Sequence, residues 1–270
     1  MGKLYIGNSG STPAIIKVEE VPKVKFGANI DTWIGSVDEN GALHETTWAG
    51  VLNFAGVKEI SRNALQYAFY SRKNIISVNF SSLQGVGKYG LNYTFYDCSN
   101  IESVDLSLLM TIGEEGLSRA FYNCKGITSV DLSSLTTIDR NGLYYSFYGC
   151  TGVIHVDLSS LQAVEYSGLD DAFRTCSALT NIDLSSLQSL GSYSLAATFI
   201  GCSKLSSLYF PSLTSVQKNS FGGSTYNNAL NNCTALTEIH FRADMQAAIE
   251  ACDGYDKKWG ATNATVYFDL

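Results

Sequence analysis

The phenylalanine at position 69 recurs at 95, 121, 147, 173 and 199, an unbroken spacing of 26 residues. A cysteine keeps the same beat at 98, 124, 150, 176 and 202, and returns at 233 after a short insertion. A fixed period of this length marks a solenoid in which each repeat is one coil. One coil carries too few inward apolar side chains to offset the entropy of fixing its backbone. Stacked coils share a hydrogen-bond ladder and bury the faces between them, so only the array is stable. Such an array is a scaffold, and function belongs to a site built on it.

One coil can be followed from Ile127 to Leu143, ITSVDLSSLTTIDRNGL. Ile127, Val130, Leu132, Leu135 and Ile138 are apolar at the L-x-x-L-x-L spacing of leucine-rich repeats. Ser129 and Asp131 alternate with Val130 and Leu132, as in a strand with one buried face. Ser133-Ser134 turns the chain, and Leu135–Ile138 reads as a second short extended piece. Gly142 then opens a stretch in which Leu143 and Phe147 lie four apart, so a helical turn puts both inward. The strand recurs at 52–54, 78–80, 104–106, 130–132, 156–158, 182–184, 208–210 and 239–241, with 266–268 as a ninth. The expected fold is α/β: a right-handed leucine-rich-repeat solenoid of 26-residue coils, a parallel β-sheet on one face and short helical turns opposite.

Residues 49–241 form the array in this reading. Residues 1–48 lack the repeat and read as a small β cap. Tyr5-Ile6 and Ile15–Val18 flank the hairpin-like Gly7–Ser11, and Asn40-Gly41 is a hairpin turn between Ile34–Val37 and Ala42-Leu43. Residues 242–270 read as a helix–strand cap: Ala243–Ala251 is rich in helix formers, and the 266–268 strand is expected to seal the last coil.

Charged residues make up 16% of the chain, the net charge is −7, and no Lys/Arg cluster occurs. Nucleic acid needs a basic footprint and is excluded as a partner on that ground. No run of 18 apolar residues exists, so no membrane insertion is expected. The opening Met1–Ile6 has neither a long apolar core nor a small-residue cleavage site, and reads as no signal peptide.

A feature repeated once per coil becomes a row of like side chains about 5 Å apart. The cysteine row reads as buried free thiols used as small apolar groups, because in-register side chains keep their Cβ atoms too far apart for a relaxed disulfide. Asp105, Asp131, Asp157 and Asp183 form a row on the exposed strand face, continued by Tyr209 and His240. Neighbouring carboxylates at that spacing repel by roughly 0.8 kcal/mol in water and about 3 kcal/mol at an effective dielectric of 20. Hydrogen bonds from Ser103, Ser129 and the serine pairs after each strand offset this, or else Ca²⁺ or a cationic partner does. A tyrosine row runs through Tyr70, Tyr96, Tyr122 and Tyr148, joined by Tyr67, Tyr93, Tyr144 and Tyr145, and fades at Arg174 and Ile200. Its rings either pack over neighbouring coils or form a recognition surface, a use that suits large rigid side chains with a polar tip. The candidate binding residues are thus the four aspartates with Tyr93, Tyr96, Tyr122, Tyr145, Tyr148 and Tyr209. The sequence offers no metal set with zinc spacing and no cofactor motif. His155 lies among serines and aspartates, but these are repeat positions without a nucleophile elbow, so no enzyme is expected.

Written as C-x-x-L-x-S-V-D-L-S-S-L-x-x-I-G-x-x-G-L-x-x-A-F-Y-x-C, the repeat resembles bacterial leucine-rich repeats of the BspA-like type. The likeness rests on Cys124-Lys-Gly-Ile127, Val130-Asp-Leu132, Leu135-Thr-Thr-Ile138 and Ala120-Phe121-Tyr122-Asn-Cys124, with equivalents in every coil. It covers about residues 49–241, with coils longer than that family's usual repeat. The resemblance implies a non-enzymatic protein-binding or adhesion module, extracellular or on a bacterial cell surface. Its partner would be a protein or surface glycan of a host or neighbouring cell. Leu4–Asn8 and the closing Ile239–Asp244 and Ala264–Leu270 also look like ends of repeat proteins from phages and prophages. That second likeness implies, as the alternative, a tail-associated host-contact protein on a virion.

Overall fold

The computed structural model describes residues 51–54, 57–222 and 228–270, with the strands Ala14–Ile16, Gly35–Val37 and Leu43–Glu45 toward the N-terminus. The chain winds as a solenoid with hydrogen-bond ladders on three sides of each coil.

The first side carries the strands anticipated from the V-x-L pattern. They pair in parallel in three blocks: Val51–Asn53, Ser77–Asn79 and Ser103–Val104; Ser129–Asp131, His155–Asp157 and Asn181–Asp183; Ser207–Phe210, Glu238–Phe241 and Thr265–Phe268. Register equals the repeat, so Val130 faces Val156, which faces Ile182. The second side is a ladder of short strands running from Val57–Ile60 through Gly85–Val86, Thr111–Ile112, Thr137–Ile138, Ala163–Val164 and Ser189–Leu190 to Ser215–Val216. Ala14–Ile16 extends its N-terminal edge in parallel with Val57–Ile60. Gly35–Val37 and Leu43–Glu45 pair antiparallel, the pairing a hairpin at Asn40-Gly41 requires. That turn, Tyr5-Ile6 and Gly7–Ser11 lie outside the described residues.

The third side holds the turns opposite the sheet, and here successive residues alternate their bonding. The N–H groups of Ala64, Gln66 and Ala68 donate three residues back within the coil, to Ser61, Asn63 and Leu65. Those of Asn63, Leu65, Tyr67 and Phe69 cross to the carbonyls of Lys88, Gly90, Asn92 and Thr94 on the next coil. The alternation is possible because every fourth residue takes the left-handed conformation: Asn63, Tyr67 and Ser71 in one coil, Tyr89, Tyr93 and Asp97 in the next, then Glu115, Arg119 and Asn123. A left-handed residue with a side chain costs about 1–2 kcal/mol. Here each flips a peptide so that its N–H reaches the neighbouring coil, as Tyr93 does to Ser118 at 3.0 Å. Gly142 meets a different constraint, since a Cβ there would stand 2.8 Å from the Ile138 side chain.

Inside, the phenylalanine row forms a continuous stack. Centroids from Phe69 to Phe173 are 5.3–5.6 Å apart, near parallel, and the step to Phe199 is 6.3 Å. The cysteines are free and buried, as the spacing predicts. They also donate: each row thiol reaches the carbonyl of the phenylalanine one coil back, Cys98 to Phe69, Cys124 to Phe95 and onward to Cys233 to Phe199, at 3.0–3.2 Å. The same phenylalanine carbonyls accept a backbone N–H within their own coil, as Phe95 does from Cys98. The thiol therefore satisfies a second lone pair that burial would leave empty. Burial pushes the Cys98 and Cys233 thiols up to about 12 and those between them well above the ordinary range.

At the C-terminal end a single-turn 3₁₀ segment, Ala243–Met245, leads into the α-helix Gln246–Glu250. A further 3₁₀ segment, Tyr255–Gly260, plants the fully buried Trp259 against Phe221 at 4.4 Å. The helix falls within the stretch of helix formers, and the ninth strand is present.

Phe121 has no solvent exposure. Phe121→Ala is expected to lower unfolding free energy by roughly 3–5 kcal/mol in urea titration. A loss below about 1 kcal/mol would place the row outside the core. Thiol labelling followed by mass spectrometry should leave the six row cysteines unmodified in the native protein. Cys252, pushed up only to about 11 by burial, should react first, and the rest only in denaturant.

Candidate binding surface

The ten candidate residues fall on two different sides of the solenoid. Asp105, Asp131, Asp157, Asp183 and Tyr209 stand on the strand side; Tyr93, Tyr96, Tyr122, Tyr145 and Tyr148 stand on the turn side.

On the strand side, Asp131, Asp157 and Asp183 occupy facing positions of adjacent strands. Each aspartate uses one carboxylate oxygen to close the turn that follows its strand. Asp131, Asp157 and Asp183 accept the N–H of Ser133, Ser159 and Ser185 at 2.9–3.0 Å, and Asp105 accepts both the N–H and the hydroxyl of Ser107. These bonds come from the serines after the strands; Ser103 and Ser129 lie on the strands themselves. The Ser159 bonds hold the Asp157 carboxyl below its usual range. Asn79 occupies the same column and makes the same bond to Ser81 at 2.9 Å, so the turn needs the oxygen and not the charge. His155 faces Ser129 and Asn181, the register its repeat position dictates. Farther along, Tyr209, His240 and Tyr267 stack at 4.6 Å per step, and Asp269 holds the His240 ring through Nδ1 at 2.8 Å.

The turn side is dominated by aromatic rings. Tyr70, Tyr96, Tyr122 and Tyr148 form one stack, with centroids 4.8, 4.4 and 4.6 Å apart and planes within 5°. Burial raises the Tyr122 hydroxyl to about 12, helped by Tyr148 and Tyr96 on either side. A second column runs beside it through the left-handed positions. Tyr67 and Tyr93 stack at 4.8 Å, and Tyr145 continues the column two coils beyond Tyr93. Arg119 fills the intervening position. Its guanidinium lies 5.2 Å from the Tyr93 ring centre and 4.6 and 4.8 Å from those of Tyr144 and Tyr145, so a cation bridges rings that would otherwise be separated. The two columns touch through Tyr93–Tyr96 at 5.6 Å and Tyr145–Tyr148 at 5.5 Å, which makes them one patch.

The patch ends in charge. In the next coil the columns carry Asp171 and Arg174, paired at 3.0 Å, and Arg174 lies over Tyr148 at 5.7 Å. Burial raises the Asp171 carboxyl above its ordinary value, against the lowering effect of Arg174 and of the neighbouring Tyr145. Beside it, burial and the Asp171 charge push Asp170 up to about 7. Arg174 marks the end of the row in the sequence, but the tyrosine positions alone do not reveal Arg119, Asp170 or Asp171. Arg119 and Asp171 sit on the 26-residue beat from Tyr93 and Tyr145, and that is the signal available in the sequence.

The family model for the BspA type leucine-rich repeat region matches residues 55–142 and 92–227, with six copies. The chain belongs to that family. Among solved structures it is similar to a leucine-rich repeat protein from Bacteroides ovatus, at 16% identity over 88% of this chain and 75% of that one, with a TM-score of 0.36. Internalin C2 from Listeria monocytogenes aligns at 15% identity over 72% and 81% of the two chains, with a TM-score of 0.33. The plant peptide hormone receptor RGFR1, solved with RGF2, aligns at 11% identity over 80% and 38%, with a TM-score of 0.26. No curated protein matches the chain. Leucine-rich repeat families are typically protein-binding and generally non-enzymatic. Among the described residues no helix is long and apolar enough to cross a membrane.

Asp170 gives this end of the patch a pH signature. Its folded value, about 7, lies above the ordinary carboxyl value near 3.9. The fold therefore holds the proton more tightly than the unfolded chain does. The associated stability is complete below about pH 4 and disappears as pH rises through 7. Asp170→Asn should raise the melting temperature at pH 8, and calorimetry should show that gain shrinking toward pH 4.

Proposed function

We propose that this chain is a non-enzymatic binding module acting at a bacterial cell surface, and that it grips a protein or surface glycan of another cell through the tyrosine patch. The observation that carries this reading is the patch itself, in which two stacked tyrosine columns are joined by Arg119 and bounded by the Asp171–Arg174 pair. Tyr67 and Tyr70 at its N-terminal end are 51% and 42% exposed, which is high for large aromatic side chains. Tyrosine and arginine are enriched in binding hot spots, tyrosine because it offers large contact area with few rotors, arginine because its planar guanidinium directs several donors at once. The stacked rings hold one another in place, so little side-chain entropy remains to be lost on binding. The aspartate row supports the reading from the other direction. One oxygen of each carboxylate already serves the turn after its strand, so these residues have a role in the fold apart from any ligand.

The test is adhesion of the purified, labelled chain to panels of intact animal and bacterial cells. The double variant Tyr96→Ser/Tyr122→Ser, with its melting transition checked, should weaken binding by about tenfold or more, the equivalent of ~1.4 kcal/mol. The quadruple variant with Asp105, Asp131, Asp157 and Asp183 replaced by Asn should keep both fold and binding, because Asn79 already performs the same turn-closing role. Loss of binding in the aspartate variant, with the tyrosine variant unaffected, would move the recognition surface to the strand face.

A further inference from the structure

The C-terminal cap treats the three sides of the solenoid differently. The α-helix Gln246–Glu250 packs against Ser215–Val216, and Asp253 donates to the Lys218 carbonyl at 2.7 Å, closing the short-strand ladder. Leu230 donates to the Trp259 carbonyl at 2.9 Å, closing the turn ladder. The strand ladder instead ends on Thr265–Phe268, whose outer edge pairs with nothing among the described residues.

The parity of this strand is set by its inner bonds. Thr265 donates to the Thr237 carbonyl at 2.8 Å, so Thr265 and Tyr267 direct their backbone groups inward. Val266 and Phe268 therefore direct theirs outward, at the open edge. Their side chains continue the core columns above Ile239 and Phe241, which are fully buried, yet both remain half-buried themselves. Natural edge strands are normally blunted by lysine, proline or an inward charge. Thr265–Phe268 reads TVYF and carries none of these; Lys258 covers only the Ala264 carbonyl at the start of the edge.

We propose that this edge pairs with the same edge of a second copy, antiparallel about a twofold axis through Tyr267. A twofold through Thr265 would need the Ala264 carbonyl, which Lys258 already holds, so Tyr267 is the centre that leaves only free backbone groups in the pairing. Val266 of one copy falls opposite Phe268 of the other, and both lie on the core face. Those are the residues with free backbone groups, so each such pair exchanges both of its hydrogen bonds. Tyr267 falls opposite its own copy on the outer face, where the stack Tyr209–His240–Tyr267 runs on into the second molecule's stack. A register one residue away would set core-facing against outward-facing side chains. A hydrophobic strand from an unlike protein could satisfy the edge hydrogen bonds equally, but would not need this symmetry. One strand pair is a small contact, so the dimer forms in proportion to concentration.

The test is sedimentation equilibrium of the full chain from micromolar to near-millimolar concentration. The apparent mass should climb from 29.3 kDa toward twice that value. Val266→Pro removes an N–H that the monomer does not use, and should hold the mass at the monomer value while the chain still melts cooperatively. Tyr267→Cys should cross-link into a covalent dimer under mild oxidation, because facing residues of a non-hydrogen-bonded pair lie within disulfide range. Thr265→Cys, far from its own copy in this register, should not. A parent that stays monomeric throughout overturns the proposal, as does dimerisation that survives Val266→Pro. Should Val266→Pro fail to fold, absence of Tyr267→Cys cross-linking overturns it alone.

Discussion

The hydrogen bond from one coil to the next is the interaction on which the rest of this structure depends. On all three sides backbone groups are satisfied by the neighbouring coil, and in the strand and short-strand ladders the offset is the repeat length. Where five extra residues intervene, the offset becomes 31 and the ladder resumes, with Tyr209 facing His240. Fixed register turns sequence columns into spatial columns. A phenylalanine at one position becomes an uninterrupted stack, and an aspartate becomes a line of like charges. The fold gains from the first and must accommodate the second. It does so locally, by turning each carboxylate into the acceptor that closes its own strand-end turn.

The buried thiols and several buried hydroxyls obey the same logic. A phenylalanine carbonyl in the array's interior can accept two bonds, and its own coil supplies one. The cysteine a coil later supplies the other without introducing a charge, since its thiol stays protonated. Thr94, Ser146 and Thr198 do the corresponding work at the Leu65, Leu117 and Leu169 carbonyls, at 2.6–2.8 Å. These small donors are fully buried, and each reaches across to the preceding coil. The core is therefore held by apolar stacking and by a sparse set of directed bonds that penalise any slip in register.

Much of this could be read in the chain. Phe121 and Cys124 announced their columns by spacing alone, and Val130-Asp-Leu132 announced the strand by alternation. The turn side was legible only in outline. Leu143 and Phe147 lie four apart, and both are buried as expected, yet the path between them is not an α-helix. It passes through Tyr145 in the left-handed region, where a tyrosine carries no local signal for that conformation. Glycine or asparagine appears at some of these positions, as at Gly149 and Asn123, but Arg119 and Asp171 hold the same geometry. Inter-coil hydrogen bonds override the residues' own preferences there, and no window of a single repeat contains that information. The aspartate row was legible in part: the serines after each strand are its partners, as the sequence suggests, whereas Ser103 and Ser129 on the strands are not.

A perfectly regular array would make a poor recognition surface. A ligand bound to one coil could move to the next and meet the same side chains at the same energy, so no position would be preferred. Specific placement requires that the repeat be broken, and on the tyrosine side it breaks both within the patch and at its end. Arg119 interrupts the left-handed column with a cation, and one coil beyond Tyr145 and Tyr148 the aromatic columns give way to Asp171 and Arg174. A ligand lying on these rings meets a marked centre and a marked end. The strand side from Asp131 to Asp183 offers neither, since three successive coils present the same carboxylate in the same role. Regularity supplies the stability of the solenoid, and recognition has to come from the few positions where the chain departs from its own repeat.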